Sequence, residues 1–147
     1  MTHMKKNILV VDDSALMRRV MCDIINSDSK FQATDYCRDG LEAYEKLKHT
    51  SYDGVVLDVN MPRMDGLQLL EKLQKEGIRA NVVMVSTLTD SREADVTILA
   101  MERGAIDFVA KPTNIIEAKG EAFKRQLLGV LNLFLQHKRQ QKVSVRQ

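Results

Sequence analysis

Short runs of β-branched and aliphatic residues alternate along this chain with segments whose apolar residues recur at helical spacing. Repeated strand and helix units of this kind build a parallel sheet with helices on its faces. Five runs predict five strands: Asn7–Val11, Gln32–Cys37, Gly54–Leu57, Asn81–Val85 and Asp107–Ala110. We therefore predict an α/β fold. Right-handed crossovers would place the first and last helices on one face of the sheet and the middle three on the other.

The helices are predicted from apolar periodicity and from capping residues. The first runs from about Ser14 to Ser27, with its apolar positions at Leu16, Met17, Val20, Met21, Ile24 and Ile25. The others are predicted over Leu41–Lys48, from near Gly66, over Ser91–Arg103, and along Leu127, Leu128, Leu131, Phe134 and Leu135. Asp90 is a candidate N-cap for the fourth helix, and Gly104 would end it.

Length and charge are those of one ordinary domain. A chain of 147 residues can bury a core without disulfides or a structural metal. Its 22 basic and 20 acidic residues leave a formal charge of +2, which predicts neither a nucleic-acid nor a membrane partner. The apolar runs are far shorter than the roughly 18 residues that span a bilayer. Asp12 and Asp13 end the first run before it could serve as a signal sequence, so we expect a cytoplasmic protein.

We expect the domain to cover residues 5–137, and residues 138–147 to form a basic linker or a disordered tail. The two cysteines, Cys22 and Cys37, form no CxxC pair and are predicted to be inert thiols in a reducing compartment. The histidines are scattered along the chain, and no site is assigned to His3, His49 or His137.

Polar side chains follow four of the predicted strands at the point where each strand ends. In an open α/β sheet, ligands gather at the carboxyl ends of the strands. The residues predicted to share this crevice are Asp12 and Asp13 after the first strand, Asp58 after the third, Ser86 and Thr87 after the fourth, and Lys111 after the fifth. Taken alone, Asp12 and Asp13 would be interpreted as a pair that caps the first helix. Their shared placement with Asp58, Ser86 and Lys111 favours a functional role instead.

Three carboxylates in one partly dry crevice repel each other, and a cation is needed to offset them. Magnesium suits carboxylate and carbonyl oxygens and leaves coordination positions open to a phosphoryl oxygen. A carboxylate can act as the nucleophile in phosphoryl transfer, while the metal and a lysine spread the charge on the moving group. The sequence therefore predicts a magnesium-dependent phosphoryl-transfer site.

Four sequence pieces, in order and at matching spacing, resemble response-regulator receiver domains over about residues 7–137. They are Val10-Val11-Asp12-Asp13-Ser14, Leu57-Asp58-Val59-Asn60-Met61-Pro62-Arg63-Met64-Asp65-Gly66, Val85-Ser86-Thr87 and the run from Gly104 to Pro112. The resemblance implies a CheY-like, flavodoxin-like fold: a three-layer α/β/α sandwich around a five-stranded parallel sheet in the order 2-1-3-4-5.

The same resemblance implies a role for each site residue. Asp58 would be phosphorylated, Asp13 and Asp58 would bind the metal directly, Asp12 would act mainly through water, and the backbone carbonyl of Asn60 would complete the protein's ligands. Lys111 would pair with a phosphoryl oxygen.

Further expectations concern the residues that would respond to phosphorylation. The Ser86 hydroxyl would move to bond a second phosphoryl oxygen. Phe108 matches the family's switch aromatic, although an ordinary core aromatic explains it equally well. The Lys111–Pro112 bond is cis in that family, so a cis bond is expected here.

A finer resemblance extends from Val85 to Thr89 and from Leu99 to Thr113. These stretches are similar to the receiver portion of chemotaxis protein-glutamate methylesterases (CheB). This implies a chemotaxis-type histidine kinase as phosphodonor and a C-terminal effector domain that is absent from these 147 residues. The chain itself would carry out only its own phosphorylation and dephosphorylation, and it could form a homodimer.

Three alternatives stay open at this point. The chain could be a stand-alone CheY-like signalling protein or the truncated receiver of a DNA-binding regulator. It could also be a hydrolase of the haloacid-dehalogenase type, but such enzymes need a second aspartate as general acid where this chain has Asn60.

Overall fold

The computed structural model describes residues 5–87 and 93–145. It contains one parallel sheet of five strands in the order β2-β1-β3-β4-β5, which confirms the predicted topology. The strands are β1 Lys6–Val11, β2 Phe31–Cys37, β3 Gly54–Leu57, β4 Val82–Ser86 and β5 Ala105–Ala110.

The register of the strands places their carboxyl ends along one edge of the sheet. Val11 of β1 pairs with Leu57 of β3, and Ser86 of β4 pairs with Ala110 of β5. Because the residues that follow these positions come next along the same edge, the predicted site residues start from neighbouring backbone positions.

Six helices are described, at α1 Ala15–Asn26, α2 Gly40–His49, α3 Gly66–Lys75, α4 Glu93–Glu102, α5 Ile115–Ala118 and α6 Glu121–Val145. The first begins at an N-cap of Ser14, whose side chain accepts a hydrogen bond from the Met17 backbone N–H. The N-cap prediction for Asp90 lies outside the described residues.

The helical segment after β5 departs from the prediction in one way. Asn114 caps the short helix α5 before the long helix α6 begins, so the cover of the sheet is broken near Gly120. Helix α6 extends to Val145, past residue 138, where we expected a basic linker or a disordered tail to begin. Lys, Arg and Gln are good helix formers, and neither Gly nor Pro occurs after Gly129, so nothing in the sequence stops the helix. That residues 138–147 form a basic linker or a disordered tail stays a prediction.

Two apolar clusters lie on opposite faces of the sheet. One cluster packs the strand residues of one sheet face, such as Val10 and Val56, against α1, α5 and α6, through helix side chains such as Met21, Ile25 and Leu127. The other joins the opposite strand face to α2, α3 and α4, through Leu47, Leu69 and Ala100. The predicted distribution of helices is therefore confirmed, except that Leu16 is 53% exposed and does not belong to the buried stripe of α1.

No helix among the described residues combines the length and the apolar character needed to cross a membrane.

Candidate functional site

The predicted site residues are placed by backbone bonds that extend the sheet just past its strands. The Asp12 N–H donates to the Cys37 carbonyl at 3.1 Å, and the Asp58 N–H donates to the Val11 carbonyl at 2.9 Å. The Lys111 N–H donates to the Ser86 carbonyl at 2.9 Å. Hydrogen bonds to the sheet therefore fix the backbone from which each of these side chains extends.

Lys111 connects the two buried carboxylates. Its Nζ lies 2.8 Å from Oδ2 of Asp12 and 3.1 Å from Oδ2 of Asp58. The other oxygen of each carboxylate accepts a backbone N–H: Oδ1 of Asp12 from Ser14 at 2.9 Å, and Oδ1 of Asp58 from Val59 at 2.8 Å. Asp12 and Asp58 are buried, so these contacts replace the water that would otherwise solvate them.

The electrostatics of the site are set by burial and by mutual repulsion. Desolvation, together with the charge of Asp12, raises the pKa of Asp58 to about 6, although Lys111 and the Val59 N–H oppose this shift. Burial alone would lower the pKa of Lys111, but its hydrogen bond to Asp12 and the charges of Asp58 and Asp12 raise it overall. At neutral pH Asp58 is therefore mainly ionised, and Lys111 carries a positive charge.

Asp13 adds a third carboxylate, on the exposed side of the site. Carboxylate oxygens of Asp12, Asp13 and Asp58 all lie within 4.8 Å of one another. Among residues 5–87 and 93–145, Lys111 is the cation that forms ion pairs with these carboxylates, so three carboxylates share one paired positive charge. Oxygen ligands and excess negative charge fit a hard divalent cation such as Mg²⁺. The side chain of Asn60 is exposed, and its predicted role as a carbonyl ligand stays a prediction.

Ser86 and Phe108 lie on the two strands next to the site. Ser86 is buried at the end of β4. Phe108 is partly buried and packs against the apolar cluster beneath α2, α3 and α4. The roles predicted for both residues depend on a phosphorylated state and stay predictions.

One expectation about Lys111 is wrong. No peptide bond is cis among the described residues, so the Lys111–Pro112 bond is trans. The backbone bond from Lys111 to Ser86 already directs the lysine towards the carboxylates without a cis bond.

The loop that follows Asp58 returns close to it. The Gly66 N–H donates to the Val59 carbonyl at 2.8 Å, and a Cβ at Gly66 would overlap the Asp58 carbonyl oxygen. Asp65 and Gln68 form a capping box at the start of α3. Glycine is therefore required where α3 begins, because the helix starts against the backbone of Asp58.

Sequence reasoning missed two arginines near the site. The Nη1 of Arg18 donates to the Asp12 carbonyl at 2.8 Å. Arg63 makes an ion pair with the buried Asp39. Asp39 is the N-cap of α2, with its Oδ1 accepting from the Glu42 N–H. The sequence held one clue, since the Met-Pro-Arg-Met-Asp-Gly run is rich in turn residues.

No site was assigned to the cysteines and histidines, and Cys37 meets the centre through its backbone carbonyl, which accepts the Asp12 N–H. Cys22 and Cys37 are free thiols. Burial raises the pKa of Cys22, and it raises that of Cys37 to about 12, so both thiols resist ionisation at neutral pH. His49 is exposed, whereas His3 and the side chain of His137 lie outside the described residues.

Comparisons with known proteins agree on one family. The family model of the response regulator receiver domain matches residues 8–120. The chain is 45% identical over 124 residues to a protein-glutamate methylesterase/protein-glutamine glutaminase of Pyrococcus horikoshii, with 84% of this chain and 33% of that protein covered. It is 50% identical over 109 residues to the protein of the same description from Escherichia coli, with 74% and 30% covered. The chain thus spans about a third of the length of these relatives.

Solved structures give the same result. The response regulator domain of Thermotoga maritima CheB matches with a TM-score of 0.77 and 34% identity, with 90% of this chain and 98% of that chain covered. A chain of the CheX–CheY–BeF3–Mg²⁺ complex from Borrelia burgdorferi matches with a TM-score of 0.70 and 30% identity, with 88% and 89% covered.

Proposed function

This chain belongs to the response regulator receiver domain family and is homologous to the N-terminal domain of CheB, and from that membership we propose that Asp58 is its phosphoacceptor. A histidine kinase would be the donor, in a Mg²⁺-dependent reaction, and the phosphorylated domain would control an effector. The observation that carries this proposal is the contact of one ammonium, that of Lys111, with two buried carboxylates beside a third.

The reaction uses an oxygen of Asp58 as nucleophile. This oxygen forms a bond to phosphorus while the bond between phosphorus and the phosphohistidine nitrogen breaks, and the histidine leaves with that electron pair. Since the pKa of Asp58 is about 6, the carboxylate is mainly ionised at neutral pH and needs no base. Lys111 lies within reach of the same carboxylate and offsets charge on the transferred group.

The acidic cluster supports the choice of cofactor. Asp12, Asp13 and Asp58, with the Asn60 carbonyl, would hold a Mg²⁺ ion, which when bound supplies positive charge against the carboxylates and the phosphoryl oxygens. Ser86 would bond a second phosphoryl oxygen from the end of β4. Phe108 would then pack further inward.

The relatives support a particular effector. The proteins from Pyrococcus horikoshii and Escherichia coli are both described as protein-glutamate methylesterases, and about two thirds of each lies outside the matched region. We therefore propose a methylesterase domain after the receiver and a chemotaxis-type kinase as donor. A cytoplasmic location agrees with two free thiols. A stand-alone CheY-like protein and a receiver fused to a DNA-binding domain are the alternatives, and the parent gene beyond Gln147 would distinguish them.

Mass spectrometry tests the phosphoacceptor. Incubation with acetyl phosphate and MgCl₂ should add one phosphoryl group to the chain, and Asp58→Asn should remove that addition completely. Asp23→Asn is the matched control, because Asp23 is an exposed aspartate on α1 that pairs with Arg19. Full labelling of the Asp58→Asn variant would show that another residue is the nucleophile. Sustained turnover of a phosphate ester would favour a hydrolase.

A further inference from the structure

Arg63 occupies an unusual backbone conformation in the loop after Asp58. Its φ is +66°, which makes it the one non-glycine residue with positive φ among the described residues. The Met64 N–H donates to the Pro62 carbonyl at 2.7 Å, so Arg63 is the central residue of a three-residue turn. Turns of this kind with positive φ are rare and strained, and glycine would adopt this φ with the least strain.

The side chain of Arg63 has a defined target. Its Nε lies 2.8 Å and its Nη2 2.7 Å from Oδ2 of Asp39. The Asp39 side chain is only 5% exposed, whereas that of Arg63 is 53% exposed. A buried carboxylate needs a charged partner, and here that partner comes from the turn.

A backbone contact joins the same two segments. The Gly40 N–H donates to the Met64 carbonyl at 2.9 Å, and a Cβ at Gly40 would overlap that oxygen. At the other end of the loop, Gly66 bonds the Val59 carbonyl. The segment between Asp58 and Gly66 is thus held at its base by the start of α3 and at its turn by the start of α2.

We propose that the Arg63–Asp39 ion pair positions the loop that carries Asp58 and Asn60, and so sets the affinity of the site for Mg²⁺. This inference rests on the proposed function. Arg63 is a positioning residue, since it acts on the metal ligands through the loop backbone. Strain of this kind persists where the surrounding structure holds it, and it concentrates at functional sites.

A purely structural role makes a different prediction. Removing Arg63 leaves the buried Asp39 without its cation, which lowers stability, whereas glycine at this position also relieves the strain of a positive φ, which raises it. If the pair only braces the fold, Arg63→Gly should leave the metal affinity unchanged. If the pair positions the loop, the metal affinity should fall while the melting temperature changes little.

Isothermal titration calorimetry with MgCl₂ on the full chain measures this difference. Arg63→Gly and Asp39→Asn should each raise the Mg²⁺ dissociation constant on the order of tenfold, as the loss of partners that orient metal ligands does elsewhere. Asn keeps the N-cap of α2 while removing the charge. The double variant should be no weaker than either single one, and Arg63→Lys should recover part of the affinity.

Arg38→Gln is the matched control, because Arg38 precedes Asp39 but pairs with Glu42 on the surface of α2. Its Mg²⁺ affinity should equal that of the unmodified chain. Unchanged affinity in both Arg63→Gly and Asp39→Asn would overturn the positioning role. Absence of Mg²⁺ binding by the unmodified chain would instead overturn the proposed function, and the positioning role with it.

Discussion

The Nζ of Lys111 lies 3.1 Å from Oδ2 of Asp58, and this contact joins the end of β5 to the end of β3 across the intervening strand β4. The same ammonium contacts Asp12, so one positive charge serves two buried carboxylates. The site is therefore under-compensated without a cation, and several measurable properties follow from that imbalance.

Asp58 should make the domain less stable as the pH rises in Mg²⁺-free buffer. Its pKa is raised from an ordinary value of 3.8 to about 6, so the folded state binds its proton more tightly than the unfolded state does. The contribution of Asp58 to the free energy of unfolding, which comes from this tighter proton binding, is fully present below about pH 3.8 and is lost as the pH rises through about 6. Above that pH, Asp58→Asn should be more stable than the unmodified chain by about 2 to 3 kcal/mol, since each tenfold difference in proton affinity between the folded and unfolded states corresponds to about 1.4 kcal/mol.

Urea denaturation at about pH 4 and pH 8 measures this difference. Other carboxylates titrate in both proteins, so only the difference between the two curves reports on Asp58. Most of the difference should vanish at the lower pH. If the difference in unfolding free energy between the unmodified chain and Asp58→Asn is the same at both pH values, burial does not perturb Asp58.

Lys111→Met should raise the pKa of Asp58 above about 6, because the ammonium opposes the desolvation of that carboxylate. Removing one member of a buried ion pair also leaves charge uncompensated, and we expect a loss of about 3 kcal/mol at neutral pH. Titration of the Asp58 carboxyl carbon by NMR gives the pKa directly. Lys75→Met is the control, since Lys75 is a 74% exposed lysine on α3. An unchanged Asp58 titration in the Lys111→Met variant would contradict the electrostatic coupling.

Mg²⁺ should stabilise the folded chain, because binding offsets the repulsion among three carboxylates. At about 100 times its dissociation constant, a ligand specific for the folded state adds about 2.7 kcal/mol. Asp13→Asn should abolish most of this effect, yet it should be more stable than the unmodified chain without metal, since one negative charge is gone. Calorimetric melting in MgCl₂ tests the loss of the Mg²⁺ effect in Asp13→Asn, and melting in EDTA tests its higher stability without metal. Asp23→Asn should behave like the unmodified chain, and a similar loss of the Mg²⁺ effect there would argue against a specific site.

Gly66→Ala should destabilise the domain by about 2 to 3 kcal/mol, which is typical of an atom forced into a filled space. The added Cβ would overlap the carbonyl oxygen of Asp58 and press on the Met84 side chain. Gly129→Ala is the matched control, because a Cβ there meets nothing within 4 Å on α6 and should stabilise the helix by about 0.5 to 1 kcal/mol. Urea denaturation of the two variants should therefore give shifts of opposite sign. Shifts of the same sign would mean that the loop has room to move away from Asp58.

The strands and the strand-end residues could be predicted because parallel strands bring their carboxyl ends to one edge. That rule placed Asp12, Asp58 and Lys111 together from the sequence alone. The Arg63–Asp39 ion pair could not be predicted in this way, since its two residues lie 24 positions apart in the sequence. It also depends on a turn in which Arg63 has a positive φ, and arginine rarely adopts that conformation. Gly120 in the sequence indicates the break between α5 and α6. The prediction was based on the apolar residues after Gly120, and it therefore gave one helix.

The role of Phe108 can be decided with a single fluorophore. The chain contains no tryptophan, so Phe108→Trp would report on this position alone. Phe108 is partly buried and already contacts the cluster beneath α2, α3 and α4. If the ring packs further inward on phosphorylation, acetyl phosphate with Mg²⁺ should shift the tryptophan emission to shorter wavelength, and Asp58→Asn in the same background should not respond.

Phe123→Trp is the control for this experiment, because Phe123 is buried against the opposite face of the sheet and its emission should not depend on phosphorylation. A phosphorylated Phe108→Trp chain with unchanged emission would identify Phe108 as an ordinary core aromatic. In that case the signal would leave the site by another element. We expect β4 to carry it, since Ser86 lies at the end of β4 and the Ser86 carbonyl accepts the Lys111 N–H.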